Sequence, residues 1–276
     1  MFLTDQPPIP VTAPPELPSS GLFDFNATTG FARAYLHTYY GGEPPIDEQL
    51  LSRFLVREAA RLPRGRFLEI GCGPTIHHLL PIAPHVEEIH MLDYLDENLA
   101  EVQRWREAAD DAHDWRAFTR RCLLDAGLPA SGQAVEARES LLRSRIVRLG
   151  KCNLMQATPA NDRQAYAAVG CFYCAEEVGI SPAAWEEVVS RVSDYVAPGG
   201  TLMMAALANM SSYAVEDATG RITQYPCACI TEDDLRSLLP RLGFPAEGLR
   251  LESHEIDHPD VGVTATLMLA ARKGPG

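Results

Sequence analysis

The chain has 276 residues, 46% of them apolar, and a formal net charge of −13. That length carries one large domain or two small ones and can bury a sizeable core. The acidic surplus argues against a nucleic-acid backbone as partner, and no apolar run approaches the ~20 residues of a membrane span.

The first segment, MFLTDQPPIPVTAPPELPSSG, is rich in proline and has neither the basic start nor the apolar stretch of a signal peptide. Residues 1–22 therefore read as a flexible arm, and 23–276 as a single domain whose beginning, about 23–62, is a helical cap. The absence of a leader, with seven cysteines, points to reduced thiols and a cytoplasmic protein.

Apolar residues then return at helical spacing, first Phe31, Ala34 and Tyr35, later Leu50, Leu51, Phe54 and Leu55. Two helices are expected, split by Gly41-Gly42 and Pro44-Pro45, with Asp47 capping the second. Arg66–Ile70 reads as a strand, Pro74 onward as a helix, Glu87–Leu92 as a second strand, and Asp96–Arg106 as a helix capped by Asp96. Ala112–Arg145 reads as helix in pieces, broken at GLPASG. Ile146–Asn153 and Tyr166–Tyr173 follow as strands, and Ser181-Pro182 opens a helix as cap and first residue. Ala197–Gly200, APGG, is a turn; Thr201–Ala208 is a buried strand; Thr231 caps a helix with acids in its first turn. Leu249–Ile256 and Val263–Ala271 close the chain as a hairpin over DHPD. Strands alternating with helices imply an α/β fold with a parallel sheet, here ending in an antiparallel strand.

In such a sheet, ligands sit beyond the carboxyl ends of the strands. After the first strand comes GCGPTIHH, where Gly71 and Gly73 allow a sharp turn and a close approach to a ligand. The dinucleotide fingerprint G-x-G-x-x-G lacks its third glycine here, and Pro74 removes a backbone donor that a pyrophosphate would want. Both features count against NAD. Asp93 ends the second strand, where an acid can accept from both hydroxyls of a ribose, and Tyr94 can stack on an adenine. A glycine loop, a ribose acid and no phosphate cradle suggest a nucleoside without phosphates, of which S-adenosylmethionine is the common example.

GCGPT, DYLDEN, KCN and APGG, with AYLHTYY before them, resemble the family of nicotinamide, phenylethanolamine, indolethylamine and thioether methyltransferases, from about Phe31 to Lys273. The resemblance implies a Rossmann-like class I methyltransferase: a mostly parallel seven-stranded sheet, helices on both faces, an antiparallel last strand and an N-terminal helical cap. It implies S-adenosylmethionine as donor and S-adenosylhomocysteine as product. Carried over position by position, it assigns cofactor binding to Tyr40, Gly71, Gly73, Thr75, Asp93, Tyr94, Asn98, Asn153, Leu154 and Phe172. Asn153-Leu154 stands where the family more often has Asp-Val, and His77 where it often has tyrosine.

For the acceptor, the resemblance implies Glu176 and Tyr35 as the catalytic pair, with Tyr39, Asn209 and Tyr213 completing the substrate contacts. A second acid is usual after the fifth strand, but AALANMSSY has none: Ala206, Asn209 and Met210 stand in that stretch. The family's known substrates are therefore not transferred. Methylation of an amine or heteroaromatic nitrogen on a small molecule is expected, with sulfur or oxygen as alternative acceptors. A cofactor-binding partner protein that has lost catalysis is the reading from a different class. A monomer is expected, with no membrane partner, and the Ala-, Arg-, Leu-, Pro- and Gly-rich composition suggests bacterial specialised metabolism.

Cys171-x-x-Cys174 and Cys227-x-Cys229 bring four thiols toward one edge of the sheet. Alternation turns the first pair in different directions, so these read as pocket wall and not as a zinc site. No H-x-x-x-H pattern carries a metal signal on a helix, and no metal is expected.

Overall fold

Apolar side chains alternating along the central strands require cover on both faces of the sheet. The computed structural model, which describes residues 30–160, 164–216, 220–258 and 262–276, supplies that cover with two sets of helices. The arm expected at 1–22 lies outside the described residues, as do Pro259 and Asp260 of the DHPD turn.

In chain order the elements are α1 (Phe31–Tyr40), α2 (Ile46–Ala59), β1 (Arg66–Ile70), β2 (Glu88–Asp93), α3 (Asp96–Arg106), α4 (Arg116–Asp125), α5 (Gly132–Arg145), β3 (Ile146–Lys151) and β4 (Tyr166–Phe172). Then follow α6 (Ala175–Val178), α7 (Pro182–Ser193), β5 (Val196–Ala208), β6 (Ser212–Glu216), β7 (Ile222–Pro226), α8 (Glu232–Arg241), β8 (Leu249–His258) and β9 (Gly262–Arg272). Seven strands form one sheet in the order β3-β2-β1-β4-β5-β9-β8. The first five in that order are parallel, and β9 enters antiparallel between β5 and β8.

Along β5, Met203 and Ala205 pack toward α1–α5, whereas Leu202, Met204 and Ala206 pack toward α7 and α8. β9 divides likewise, with Met268 and Ala270 on the first face and Leu267, Leu269 and Ala271 on the second. Ser131, Ser181 and Thr231 cap α5, α7 and α8 through their side chains, the last as a reciprocal capping box with Asp234.

Several local expectations are corrected. Pro74 does not open an α-helix; the chain forms a loop and a single 3₁₀ turn at His77–Leu79. The stretch Ile76–Ala83 is buried on every side, so no solvent face sets a helical stripe. Asp47 and Asp96 lie in first turns and are not caps, because Pro45 and Leu95 occupy those positions. β3 ends at Lys151, since Cys152 and Asn153 turn away to bond Asp93 and Pro159 through their backbones. APGG is absorbed into β5: Tyr166 pairs with Val196 and Ala168 with Thr201, so Ala197–Gly200 bulges, with Gly199 at φ +71°.

The β6–β7 hairpin is missing from the sequence reading, although SYAVE and ITQYP alternate as strands do. It forms a roof with α1. Phe31 of α1 meets Tyr225 edge-on, Tyr213 stacks on Tyr225, and the Tyr39 hydroxyl donates to the Ala214 carbonyl at 2.5 Å. Thr38 brackets Glu216 through both its backbone groups.

Candidate active site

Two adjoining cavities lie at the carboxyl ends of β1, β2, β4 and β5, beneath this roof. The first, about 800 Å³, is lined by the glycine loop, by Asp93–Leu95, by Cys152–Met155 and by Phe172–Cys174. Gly71 (φ +71°) and Gly73 (φ +59°) both need the left-handed backbone that glycine tolerates. A Cβ on Gly71 would stand 2.1 Å from the Cys174 Sγ, so the loop can close on β4 only through a bare Cα.

Asp93 organises the floor. Its carboxylate accepts from the Gly73 backbone N–H at 2.7 Å, from the Leu95 N–H at 2.8 Å and from the Asn98 amide at 2.9 Å. Burial pushes this carboxyl above its ordinary range, and those donors offset part of the shift. A carboxylate offers roughly four lone-pair positions, so capacity remains for a ligand hydroxyl. The buried Asn98 Oδ1 has no hydrogen-bond partner, and Asn98 is part of this cavity's lining. Asn153 spends its side-chain oxygen on the Met155 N–H at 2.9 Å, which leaves its amide to donate.

The second cavity, about 1060 Å³, is bounded by α1, the start of α2, β6 and the β5–β6 connection. It shares Tyr35, Tyr40, Tyr173 and Glu177 with the first. Its wall carries Asp47, Glu48 and Glu177 among the rings of Tyr35, Tyr39, Tyr40, Tyr173 and Tyr213, and among the described residues no Lys, Arg or His lines it. Burial raises the Asp47 carboxyl to about 6, with repulsion from Glu48 adding to it. Burial and the neighbouring Glu176 push Glu177 well above the usual range, while the Tyr213 hydroxyl, donating to its Oε2 at 3.0 Å, pulls the other way. Tyr173 sits at φ +48°, a costly conformation for a bulky residue, held by a 2.8 Å contact between its hydroxyl and Thr266.

Every residue predicted to bind the cofactor lines the first cavity: Tyr40, Gly71, Gly73, Thr75, Asp93, Tyr94, Asn98, Asn153, Leu154 and Phe172. Tyr35, Tyr39 and Tyr213 line the second. Glu176 lines neither. It is 0% exposed, and its Oε1 accepts from the Leu207 N–H at 2.9 Å beneath the floor. One step along α6, about 100° around a helix, puts Glu177 in the wall instead. Asn209 is exposed at φ +61° in the turn after β5, and Met210 takes the lining position. Tyr173, Glu177, Asp47 and Glu48 are lining residues that the sequence does not mark as part of a site. The YC pair after a buried strand was the available hint for Tyr173, whereas nothing local distinguishes the two acids of α2 from an ordinary first turn. Cys171 and Cys174 interact with each other, Cys227 Sγ faces the Met210 carbonyl at 3.6 Å, and Cys229 is exposed, so the four thiols do not converge.

Glu176 also gives a stability test. Burial raises its carboxyl to about 7, against an ordinary value of 4.5. The folded state thus holds a proton that the unfolded chain releases, and stability falls as pH rises from about 4.5 to about 7, by roughly 3 kcal/mol. Glu176→Gln removes that loss. Thermal unfolding from pH 5 to 8 should show the variant gaining on the wild type as pH rises; parallel curves would mean the carboxyl ionises freely where it lies.

The model of the NNMT/PNMT/TEMT family matches residues 25–274. Phenylethanolamine N-methyltransferase of Homo sapiens is 29% identical over 188 residues, which cover 66% of this chain and 64% of that relative. This match therefore spans a little under two thirds of the relative's length. Indolethylamine N-methyltransferase of Oryctolagus cuniculus is 25% identical over 260 residues, 88% of this chain and 93% of that one. Among solved structures, a S-adenosylmethionine-dependent methyltransferase of Methanosarcina mazei superposes with a TM-score of 0.51 at 12% identity, over 76% of this chain and 93% of its own. The CcbJ methyltransferase of Streptomyces caelestis gives 0.51 at 11% identity, over 83% and 97%. These two likenesses show a shared fold. No helix among the described residues is long and apolar enough to cross a membrane.

Proposed function

The chain belongs to the NNMT/PNMT/TEMT family, and from that premise we propose that it transfers a methyl group from S-adenosylmethionine to the nitrogen of a small amine. The observation that carries this reading is the pair of cavities joined at Tyr35, Tyr40, Tyr173 and Glu177, the second acidic and aromatic with no basic side chain among its described lining residues. Aromatic faces and carboxylates together favour a cationic or amine-bearing ligand. An acid, a phosphate or a thiolate would meet repulsion there.

The residues of the first cavity fit the cofactor. Asp93 keeps acceptor capacity, Asn98 Oδ1 is an orphaned buried acceptor, and both suit the hydroxyls of a ribose. Tyr94 and the amide of Asn153 would hold the adenine, and Gly71–Thr75 the amino-acid end, where Pro74 offers no N–H for a phosphate. S-adenosylmethionine supplies there a methyl group on a positively charged sulfur whose departure leaves a neutral thioether.

The remaining work falls to the protein. An alkylamine must present a free lone pair, yet in water most of it carries a proton. Beside Glu177, burial disfavours the ion pair of ammonium and carboxylate relative to the neutral amine and neutral acid. The proton therefore rests on the Glu177 oxygen that Tyr213 does not occupy, and the nitrogen is left nucleophilic. Tyr35 and Tyr40 position the acceptor at the junction of the cavities, and the roof of α1 and β6–β7 excludes water. After transfer the positive charge sits on the product nitrogen, which leaves as the N-methylated ammonium, and the proton held by Glu177 passes to solvent when the site opens.

Methyl transfer tested on aryl-alkylamines, alkylamines, pyridines, thiols and phenols separates the acceptor atoms. Turnover with amines supports the reading, and turnover confined to thiols or phenols opposes it. Asp93→Ala should weaken S-adenosylhomocysteine binding by about 1–3 kcal/mol, roughly 5- to 150-fold, because ribose hydroxyls lose their acceptor and the Gly73 N–H its anchor. Calorimetric titration checks this, and unchanged affinity would misplace the ribose. We also read residues 23–276 as one domain acting as a monomer in the cytoplasm, which size-exclusion and cell fractionation test.

A further inference from the structure

Glu48 of α2 meets His77 and His78 of the 3₁₀ turn in a buried cluster between the two cavities. Glu48 Oε2 lies 3.0 Å from His77 Nε2 and 3.4 Å from His78 Nε2. All three groups are buried, and their candidate ligand atoms lie within 4.8 Å of one another. Despite that closeness, none of these three atoms makes a hydrogen bond. The atoms approach each other, but their hydrogen-bonding directions do not point along the lines between them.

From this geometry we propose that Glu48, His77 and His78 form a site for a divalent ion of the zinc class. A tetrahedral ion with bonds of about 2.0–2.1 Å separates its ligands by about 3.3–3.4 Å, close to the 3.0 and 3.4 Å between Glu48 Oε2 and the two imidazoles, which themselves lie within 4.8 Å of each other. Two imidazoles and one carboxylate are a zinc-type donor set and a poor one for calcium or magnesium, which take oxygen. The groups behind the ligands are those that ordinarily orient them. Glu69 Oε1 faces the far nitrogen of His78 at 3.4 Å, and the Tyr40 hydroxyl donates to the other oxygen of Glu48 at 3.1 Å. The His77 ring is stacked on Trp115, with centroids 4.9 Å apart and planes 10° apart, which fixes its direction. A narrow crevice lined in part by Ser52 and Arg121 touches all three ligands.

The ion would act as a clamp. Glu48 also lines the acceptor cavity and His78 the cofactor cavity. One bound ion would tie the helical cap to the glycine-loop segment and hold Tyr40 where the cavities meet. It would also neutralise a carboxylate that is buried beside the acceptor.

The test uses full-length protein purified without chelator or affinity metal. Its zinc content is measured, then it is stripped and titrated with Zn²⁺ and, separately, Co²⁺. The expected result is stoichiometric binding of both, a tetrahedral Co²⁺ absorption band, partial quenching of the tryptophan fluorescence by Co²⁺, and a higher unfolding temperature with Zn²⁺. Glu69→Gln, which removes an orienting group but no ligand, should weaken Zn²⁺ binding about 10- to 100-fold. His77→Phe, compatible with the surrounding rings, should abolish the Co²⁺ band. A wild-type protein that binds neither ion stoichiometrically, or a Co²⁺ band that survives His77→Phe, overturns the proposal; the first outcome would leave the cluster as a plain histidine–glutamate ion pair.

Discussion

Glu177→Gln should lower kcat for an alkylamine acceptor by about 10²- to 10⁴-fold, the usual worth of a positioned proton acceptor. The substitution keeps the size of the side chain and its contact with Tyr213, so S-adenosylhomocysteine should still bind within a few-fold of the wild type. The informative comparison is between acceptors. A pyridine or a thioether has a free lone pair at neutral pH and needs no base. Its methylation should be nearly unaffected in the variant, whereas that of an alkylamine collapses. Equal losses on both would show that Glu177 shapes the pocket without handling a proton. Full activity on amines would remove it from the mechanism.

Gly71→Ala should be the most damaging single change in the cofactor loop. The new Cβ would stand 2.1 Å from Cys174 Sγ and 3.0 Å from its Cβ, on a backbone held at φ +71°. The left-handed backbone costs an alanine about 1–2 kcal/mol and forced overpacking a further 1–3. The loop can escape only by pulling away from β4, which also displaces the Gly73 N–H from Asp93. Loss of stability and loss of S-adenosylhomocysteine binding are therefore expected together. Gly73→Ala provides the contrast: a Cβ there meets nothing within 4 Å, although φ is +59°. It should cost less stability while its methyl group intrudes on the ligand. Adding Cys174→Ala to Gly71→Ala should recover part of the lost stability, since the nearest clash is with the sulfur. Strict additivity of the two changes would argue that the loop does not press on Cys174.

These two residues mark the boundary of what the sequence makes legible. The cofactor half of the site is local: a glycine turn after one strand, an acid and an aromatic residue after the next, and an amide after the third. Each motif is contiguous, and the parallel sheet brings strand ends to one edge as a matter of topology. The acceptor half is assembled across long separations, from Asp47 and Glu48 in α2, Tyr173 and Glu177 after β4, Met210 after β5 and Ile256 in β8. No periodicity reports which of those side chains face each other. Glu176 and Glu177 show the difficulty in miniature, because neighbouring acids on one helical turn point in directions about 100° apart. The same holds for His77 and His78. In sequence they lack a ligand spacing, and only α2, folding back over the loop, supplies the carboxylate that joins them. The missed β6–β7 hairpin, by contrast, was visible as two alternating runs. Its neighbours in sequence are loops, and it stands apart from the main sheet.

The most direct test of the central claim is methyl transfer from S-adenosylmethionine labelled in its methyl group to a panel of small acceptors, with the product's methylated atom identified. The account predicts S-adenosylhomocysteine released in step with an N-methylated amine, and no transfer to anionic acceptors. Tight S-adenosylhomocysteine binding with no turnover on any amine, or transfer confined to thiols and hydroxyls, would contradict it.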